Sequence, residues 1–178
     1  MKPRLEKGLV QVYTGNGKGK TTAAMGLAAR AVGRGSRVCI LQFLKSRPSG
    51  EVTSARKLGI RLIRFPGTLC FDRRLNREEM SVLKGQMQQA FSRTEKIVRK
   101  GQYDLVVLDE INFVLSQRLL KVKDLLLLIK NKPSSVELVL TGRYAPKSII
   151  RAADLVTEML EIKHPFQRGV KSRKGIEY

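Results

Sequence analysis

Residues Leu9 to Thr22 read LVQVYTGNGKGKTT, and this stretch decides the fold. Its first part, Leu9 to Thr14, is rich in side chains that favour a β-strand. A glycine-rich segment follows at once, and Thr21 to Val32 then carries its apolar residues at helical spacing. A strand, a glycine-rich turn and a helix in direct succession are the setting that a phosphate-binding P-loop requires.

The chemistry of this loop predicts nucleotide binding. Its glycines let backbone N–H groups turn inward, and the helix N-terminus adds partial positive charge. Lys20 is expected to reach the phosphates, and the Thr21 hydroxyl to ligate Mg²⁺. The usual motif has glycine where this chain has Thr14, and Gly15 comes one residue later, so we expect a tighter loop. The alternative, a glycine-rich turn with exposed lysines, is disfavoured by the flanking strand and helix. The predicted nucleotide-binding residues here are Thr14, Gly15, Asn16, Gly17, Lys18, Gly19, Lys20, Thr21 and Thr22.

An acidic pair supplies the expected partner of the loop. Four apolar residues, Leu105 to Leu108, lead to Asp109 and Glu110, at the strand end where ligands of open α/β sheets bind. Asp109 is a predicted inner- or outer-sphere Mg²⁺ ligand. Glu110 is predicted to ligate the metal or orient a substrate, and with Lys20 it is the catalytic candidate. The alternative is a turn-forming acid pair after a core strand.

A further cation follows another strand on the same edge. Arg143 comes after Val139 to Gly142 and could neutralise phosphate charge. An ordinary surface arginine is the competing interpretation.

The remaining pattern alternates strands and helices, which is typical of a parallel sheet. We therefore expect one domain over 1–178: an α/β, RecA-like P-loop NTPase fold with a mostly parallel sheet of about six strands and helices on both faces. Residues 1–7 form a short extension and 164–178 an ordered tail. Further strands are predicted at 37–44, 60–65, 103–108, 136–140 and 157–163, and further helices at 51–58, 76–100, 122–130 and 146–153.

Charge is the unusual feature of the composition. The 178 residues include 35 Lys and Arg but 15 Asp and Glu, for a formal net charge of +20. Such an excess attracts polyanions, whether nucleic acid, nucleotide or a membrane surface. The alternative is a solvated basic surface that binds nucleic acid only non-specifically.

Other function classes are disfavoured. The single histidine, His164, argues against a histidine metal site or a Ser-His-Asp triad. Cys39 and Cys70 cannot build a disulfide framework. The longest apolar run, 125–129, is far too short for a membrane span, and no secretory signal is visible. We expect a cytoplasmic protein without a membrane partner.

Taken together, these segments resemble the P-loop corrinoid adenosyltransferases, the ATP:cob(I)alamin adenosyltransferase family. The resemblance runs from Gly8 to Tyr178, and the compact Gly-Asn-Gly-Lys-Gly-Lys-Thr loop is specific when it occurs with the other pieces. Those pieces are Gln42-Phe43, Gly50-Glu51, Asp109-Glu110-Ile111-Asn112, Leu140-Thr141-Gly142-Arg143, Lys163-His164-Pro165 and Gly175-Ile176-Glu177-Tyr178.

The resemblance implies a particular reaction. In this family ATP lies reversed in the loop, a reduced Co(I) corrinoid attacks the ribose 5′ carbon, and triphosphate leaves. It implies Mg²⁺ as cofactor, ATP and cobalamin or another corrinoid as substrates, a reductase or flavoprotein as electron source, and a homodimer.

One loop departs from the family pattern. Better-known relatives carry Gly-Phe-Thr-Trp facing the corrin ring, where the two aromatic side chains help to displace the lower axial ligand. This chain has Gly67, Thr68, Leu69 and Cys70 at those positions, and Phe71 follows out of register. These five residues are the predicted corrinoid-facing residues.

Two other functions compete with adenosyl transfer. A nucleic-acid-stimulated RecA-like ATPase would account for the charge, but aromatic residues are only 6% and do not interleave with basic ones. A small-molecule kinase would need a mobile lid with arginines, for which Arg73, Arg74 and Arg77 are the candidates.

Overall fold

Parallel strands form a single sheet in the part of the chain that the structure describes. The structure, a computed structural model, describes residues 5–46, 49–67 and 75–176. The strands are β1 (Val10–Thr14), β2 (Val38–Phe43), β3 (Arg61–Phe65), β4 (Leu105–Asp109), β5 (Glu137–Thr141) and β6 (Leu155–Glu158). Their order in the sheet is β3-β2-β4-β5-β1-β6, with every neighbouring pair parallel. The predicted α/β fold is confirmed.

Helices cover both faces of this sheet. They are α1 (Lys20–Gly33), α2 (Gly50–Lys57), α3 (Arg77–Arg99), α4 (Ile111–Ser116), α5 (Val122–Asn131) and α6 (Lys147–Ala152). Alternate residues of β4 serve the two faces: Leu105 and Val107 pack in the cluster with α1 and α2, whereas Val106 and Leu108 pack in the cluster with the other four helices. Within the described residues, each helix is too short or too polar to cross a membrane.

The longest helix, α3, begins with a reciprocal cap. The backbone N–H of Glu79 donates to Asn76 Oδ1 and that of Asn76 to Glu79 Oε2, both at 2.9 Å. This arrangement satisfies two backbone donors that the first helical turn leaves free. The buried face of α3, which includes Leu83, Met87 and Phe91, then lies against the sheet.

The prediction for the last strand is wrong in its bounds. The sequence pattern predicts a strand at 157–163, whereas β6 spans Leu155–Glu158. Its only sheet partner is β1 among the described residues, and the ladder ends where Thr14 pairs with Glu158, because β1 ends there. The apolar residues beyond it, Leu160 and Ile162, are exposed.

Two short elements were not predicted. Helix α4 follows β4 after the single residue Glu110, and a 3₁₀ turn at Pro165–Arg168 interrupts the otherwise irregular tail. The 3₁₀ turn uses His164, whose Nδ1 accepts a hydrogen bond from the Phe166 N–H at 3.2 Å. His164 is thus a loop-capping residue.

Candidate nucleotide- and metal-binding site

The predicted site residues meet at the carboxyl edge of the sheet. The loop after β1 and the acidic pair after β4 lie on either side of β5, whose last residue is Thr141. This edge is where parallel α/β sheets bind ligands, because the connections to the helices diverge there. The candidate P-loop, the acidic pair and Arg143 therefore share one edge.

The P-loop packs tightly against the chain that follows β6. The Gly17 N–H donates to the Met159 carbonyl at 2.7 Å, and a side chain at Gly17 would bring a carbon within 2.6 Å of the Leu160 carbonyl oxygen. Gly15 has φ of 95° and meets the Met159 backbone in the same way. Glycine is thus required at both positions for space, and at Gly15 for backbone conformation as well.

Lys20 is held inside this loop. Its ammonium donates to the carbonyl oxygens of Gly15 and Gly17 at 2.8 and 2.6 Å, and the residue is only 8% exposed. Burial lowers the pKa of Lys20, and the nearby positive charge of Arg143 lowers it further. A lysine whose charge is poorly solvated gains strongly from an anion, so this geometry suits a phosphate ligand.

Asp109 is the centre of a buried hydrogen-bond network. Its Oδ1 accepts from the hydroxyls of Thr21 at 2.8 Å and Thr141 at 2.6 Å, and its Oδ2 accepts from Gln42 Nε2 at 3.1 Å. The Asp109 side chain is wholly buried. Since both oxygens are already bonded to the protein, Asp109 fits an outer-sphere position, with the Thr21 lone pairs left for a cation.

Glu110 has a strained backbone next to this network. Its φ is 64°, a left-handed conformation that is uncommon outside glycine, and its N–H donates to Thr141 Oγ1 at 3.0 Å. Burial raises the pKa of the Glu110 carboxyl, and the negative charge of Asp109 raises it further, while Lys45, Lys20 and Arg143 act in the opposite direction. Strain and a perturbed pKa at a ligand-binding edge are both features of functional residues.

The donor set fits Mg²⁺. Thr21, Asp109 and Glu110 present hydroxyl and carboxylate oxygens, which are the ligands this ion prefers. Among the described residues, no group of three or more His, Cys, Asp or Glu side chains is arranged to hold an ion by itself. Such a site suits Mg²⁺, which is usually bound by one or two carboxylates together with substrate phosphates and water.

Four other predicted nucleotide-binding residues lie at the same edge with exposed side chains: Asn16, Lys18, Thr22 and Arg143. Of the predicted corrinoid-facing residues, Gly67 lies beside Leu83 of α3. The remaining four, Thr68, Leu69, Cys70 and Phe71, lie outside the described residues.

Sequence reasoning assigned no role to three residues of the network. Thr141 donates to Asp109, while Gln42 donates both to Asp109 and to Glu51 Oε1, the latter at 2.9 Å. One signal was available for Gln42, because it is the only polar residue of the apolar strand β2 and stands near its carboxyl end. Glu51 on helix α2 was marked only as part of Gly50-Glu51, one of the pieces that carry the family resemblance, and its contact with Gln42 was not predicted.

Comparison with known proteins agrees with this geometry. Residues 6–178 match the family model described as ATP:corrinoid adenosyltransferase BtuR/CobO/CobP. The corrinoid adenosyltransferase of Escherichia coli (strain K12) is 33% identical over 174 residues, covering 97% of this chain and 87% of that protein. The one from Pseudomonas aeruginosa is 35% identical over 183 residues, covering 98% and 86%.

A solved structure supports the fold alone. The KaiC-like protein PH0186 from Pyrococcus horikoshii OT3 aligns with a TM-score of 0.54 at 16% identity, covering 89% of this chain and 76% of that one. The family itself is established by the full-length sequence match: the chain belongs to the ATP:corrinoid adenosyltransferases of the BtuR/CobO/CobP family and is an enzyme that uses ATP to adenosylate corrinoids.

Proposed function

We propose that this enzyme transfers the 5′-deoxyadenosyl group of ATP to the Co(I) centre of a reduced corrinoid, either cobalamin or a precursor. The cobalt supplies the electron pair of the new Co–C bond. The bond between the ribose 5′ carbon and its oxygen breaks, and the oxygen leaves as part of intact triphosphate. The single observation that carries the proposal is the family match over residues 6–178. The hydrogen bond from Thr21 to Asp109, which joins the P-loop to the acidic pair, supports the nucleotide and metal site on which the proposal depends.

The residues at this edge suit the charge that develops on the leaving group. Lys20 and the N–H groups at the start of α1 would hold the triphosphate oxygens. Asp109 would keep the Thr21 hydroxyl turned toward the cation, and Glu110 would ligate it. Bound Mg²⁺ would add a further positive charge against the departing phosphate.

The reaction needs no general base from the protein, because Co(I) is itself a strong nucleophile. This agrees with the position of the chain's one histidine, which caps the 3₁₀ turn in the tail. The protein would instead align carbon and cobalt and exclude water. We propose that the loop from Gly67 to Phe71 faces the corrin ring and that a cytoplasmic reductase or flavoprotein supplies the electrons.

The identity of the phosphorus product tests this proposal. With ATP, Mg²⁺ and chemically reduced cobalamin, phosphorus NMR should show triphosphate growing in step with a light-sensitive Co–C product. ADP growing in step with turnover would contradict adenosyl transfer and favour a kinase or an ATPase.

The same assay with DNA tests the nucleic-acid ATPase suggested by the charge of +20. Single-stranded and duplex DNA should leave product formation unchanged. Non-specific binding should collapse between roughly 50 and 200 mM salt, as expected for release of counterions from phosphates. DNA-stimulated ADP release that survives the higher salt would instead support the ATPase.

We also propose a homodimer that uses the β6–tail face, defined as β6 and residues 159–176. Strand β6 is a sheet edge, and large exposed apolar residues concentrate here: Leu155, Val156, Leu160, Ile162, Phe166, Val170 and Ile176. Within this face, residues 155–162 carry two acids and no Lys or Arg, whereas 163–174 are basic. A second copy could thus set its basic half against this acidic half.

Sedimentation measures the oligomeric state, and one substitution on the β6–tail face tests whether the dimer uses it. Ile162→Asp places a charge at a side chain that is 89% exposed and should shift the protein from dimer to monomer. Leu127→Asp makes the same change on α5, also at an exposed position, and should leave the dimer intact. A monomeric wild-type protein, or equal behaviour of the two variants, would contradict the proposed face.

A further inference from the structure

Gln42 is a buried amide at the edge of the candidate metal site. It stands beside Asp109 in the register of β2 and β4, and its side chain is wholly buried. The other residues of β2 are apolar. Burying an amide in such a strand is costly unless it makes hydrogen bonds, so its partners indicate its purpose.

The amide nitrogen of Gln42 joins two carboxylates from different elements. Nε2 donates to Glu51 Oε1 in the first turn of α2 at 2.9 Å and to Asp109 Oδ2 at 3.1 Å. Both neighbours are acceptors, so only the nitrogen end of the amide can face them. Glu51 therefore helps to fix which way the Gln42 amide points, and α2 is tied through it to the end of β4.

The orientation of the Gln42 amide affects the Thr21 hydroxyl through Asp109. Asp109 receives Gln42 on Oδ2 and the hydroxyls of Thr21 and Thr141 on Oδ1. Its carboxylate cannot rotate without losing at least one of these bonds. Because the Thr21 hydroxyl proton is committed to Asp109, the lone pairs of that hydroxyl stay available to a cation.

One atom in the network lacks a partner. Gln42 Oε1 is buried and accepts no hydrogen bond from any described residue. Buried polar atoms in folded proteins are nearly always bonded, so an orphaned acceptor here points to a donor that arrives with the ligand. A water molecule of hydrated Mg²⁺ is a donor of this kind.

We propose that Glu51 and Gln42 are positioning residues for the metal site: Glu51 orients the Gln42 amide, which holds Asp109 so that Thr21 faces the cation. The inference rests on the proposed function, in which Thr21 contributes to Mg²⁺ binding. On this view Glu51 acts as a hydrogen-bond acceptor rather than as a metal ligand.

Two substitutions of Glu51 separate these roles. Glu51→Gln keeps a carbonyl oxygen that can accept from Gln42, whereas Glu51→Leu removes the acceptor. Mn²⁺ binding in the presence of ATP, followed by electron paramagnetic resonance, should weaken about tenfold in Glu51→Leu, the loss typical of an outer partner, and about twofold or less in Glu51→Gln. Glu78→Leu, at an exposed first-turn position of α3, is the matched control and should bind Mn²⁺ like the wild type.

Each other outcome has a defined meaning. Unchanged binding in Glu51→Leu, or equal losses in Glu51→Leu and Glu51→Gln, would overturn the inference. Circular dichroism checks folding, and Glu51→Ala replaces Glu51→Leu if the latter does not fold. Thr21→Val, measured alongside, tests the proposed function separately. If Thr21→Val binds Mn²⁺ normally, the metal site itself is misassigned. If it binds weakly while Glu51→Leu binds normally, only the inference fails.

Discussion

Lys20→Ala is expected to lower kcat/KM for ATP by at least about a hundredfold, the cost of removing one preorganised donor to developing negative charge. Two carbonyl oxygens hold the Lys20 ammonium inside the loop, which leaves its third N–H to donate to a phosphate. Steady-state kinetics with reduced cobalamin measures the loss.

Lys132→Ala is the matched control. The Lys132 ammonium likewise donates to two backbone carbonyls, those of Gly8 and Val136, at 2.7 and 2.9 Å. It lies at the edge of the sheet formed by the amino ends of the strands, next to the residues that precede β1 and β5. Burial lowers the pKa of Lys132, as it does for Lys20. We expect Lys132→Ala to lower thermal stability while kcat stays near wild type. Equal kinetic losses in both variants would mean that Lys20 supports the fold and not the phosphate.

Most of the fold was predictable because its signals are local. The strand, the glycine-rich turn and the helix around Lys20 are contiguous in sequence, and apolar runs such as Leu105 to Leu108 mark strands buried on both faces. The end of β6 was not predictable in this way. It depends on where β1 ends, and the apolar residues Leu160 and Ile162, which fall within the predicted strand at 157–163, are exposed.

The candidate site likewise contains residues with local sequence signals and residues whose contacts depend on the fold. Lys20, Thr21, Asp109 and Glu110 belong to short motifs whose chemistry shows in the sequence. The Gln42 and Glu51 contacts depend on sheet order and on the placement of α2, which brings Glu51 against a residue nine positions earlier and, through it, against Asp109. Spacing along the chain does not report such a contact.

The second large effect is expected at the acidic pair, where the two conservative substitutions should behave differently. In Glu110→Gln the loss of a metal-binding carboxylate should raise the Mg²⁺ concentration for half-maximal activity by more than about tenfold, and added Mg²⁺ should restore much of the rate. In Asp109→Asn added Mg²⁺ should restore little. The amide has one acceptor oxygen in place of two. If that oxygen faces Gln42, the amide nitrogen makes the Thr21 and Thr141 hydroxyls accept and turns their protons away, and in the opposite orientation the nitrogen meets Gln42 Nε2 donor to donor. Either arrangement should also cost about 1–3 kcal/mol of stability.

Asp104→Asn separates this network from the general cost of altering a buried aspartate. Asp104 is 4% exposed and accepts from the backbone and guanidinium of Arg37, next to the start of β4 rather than at its end. We expect it to lose stability while keeping the wild-type Mg²⁺ dependence. Magnesium titrations of activity, paired with thermal unfolding, compare the three variants.

Rescue of Asp109→Asn by Mg²⁺ would show that Asp109 touches the ion directly, so the Thr21–Asp109 hydrogen bond would have to break when the ion binds. If neither Asp109→Asn nor Glu110→Gln changed the activity, the acidic pair would have no role in the site beyond ending strand β4.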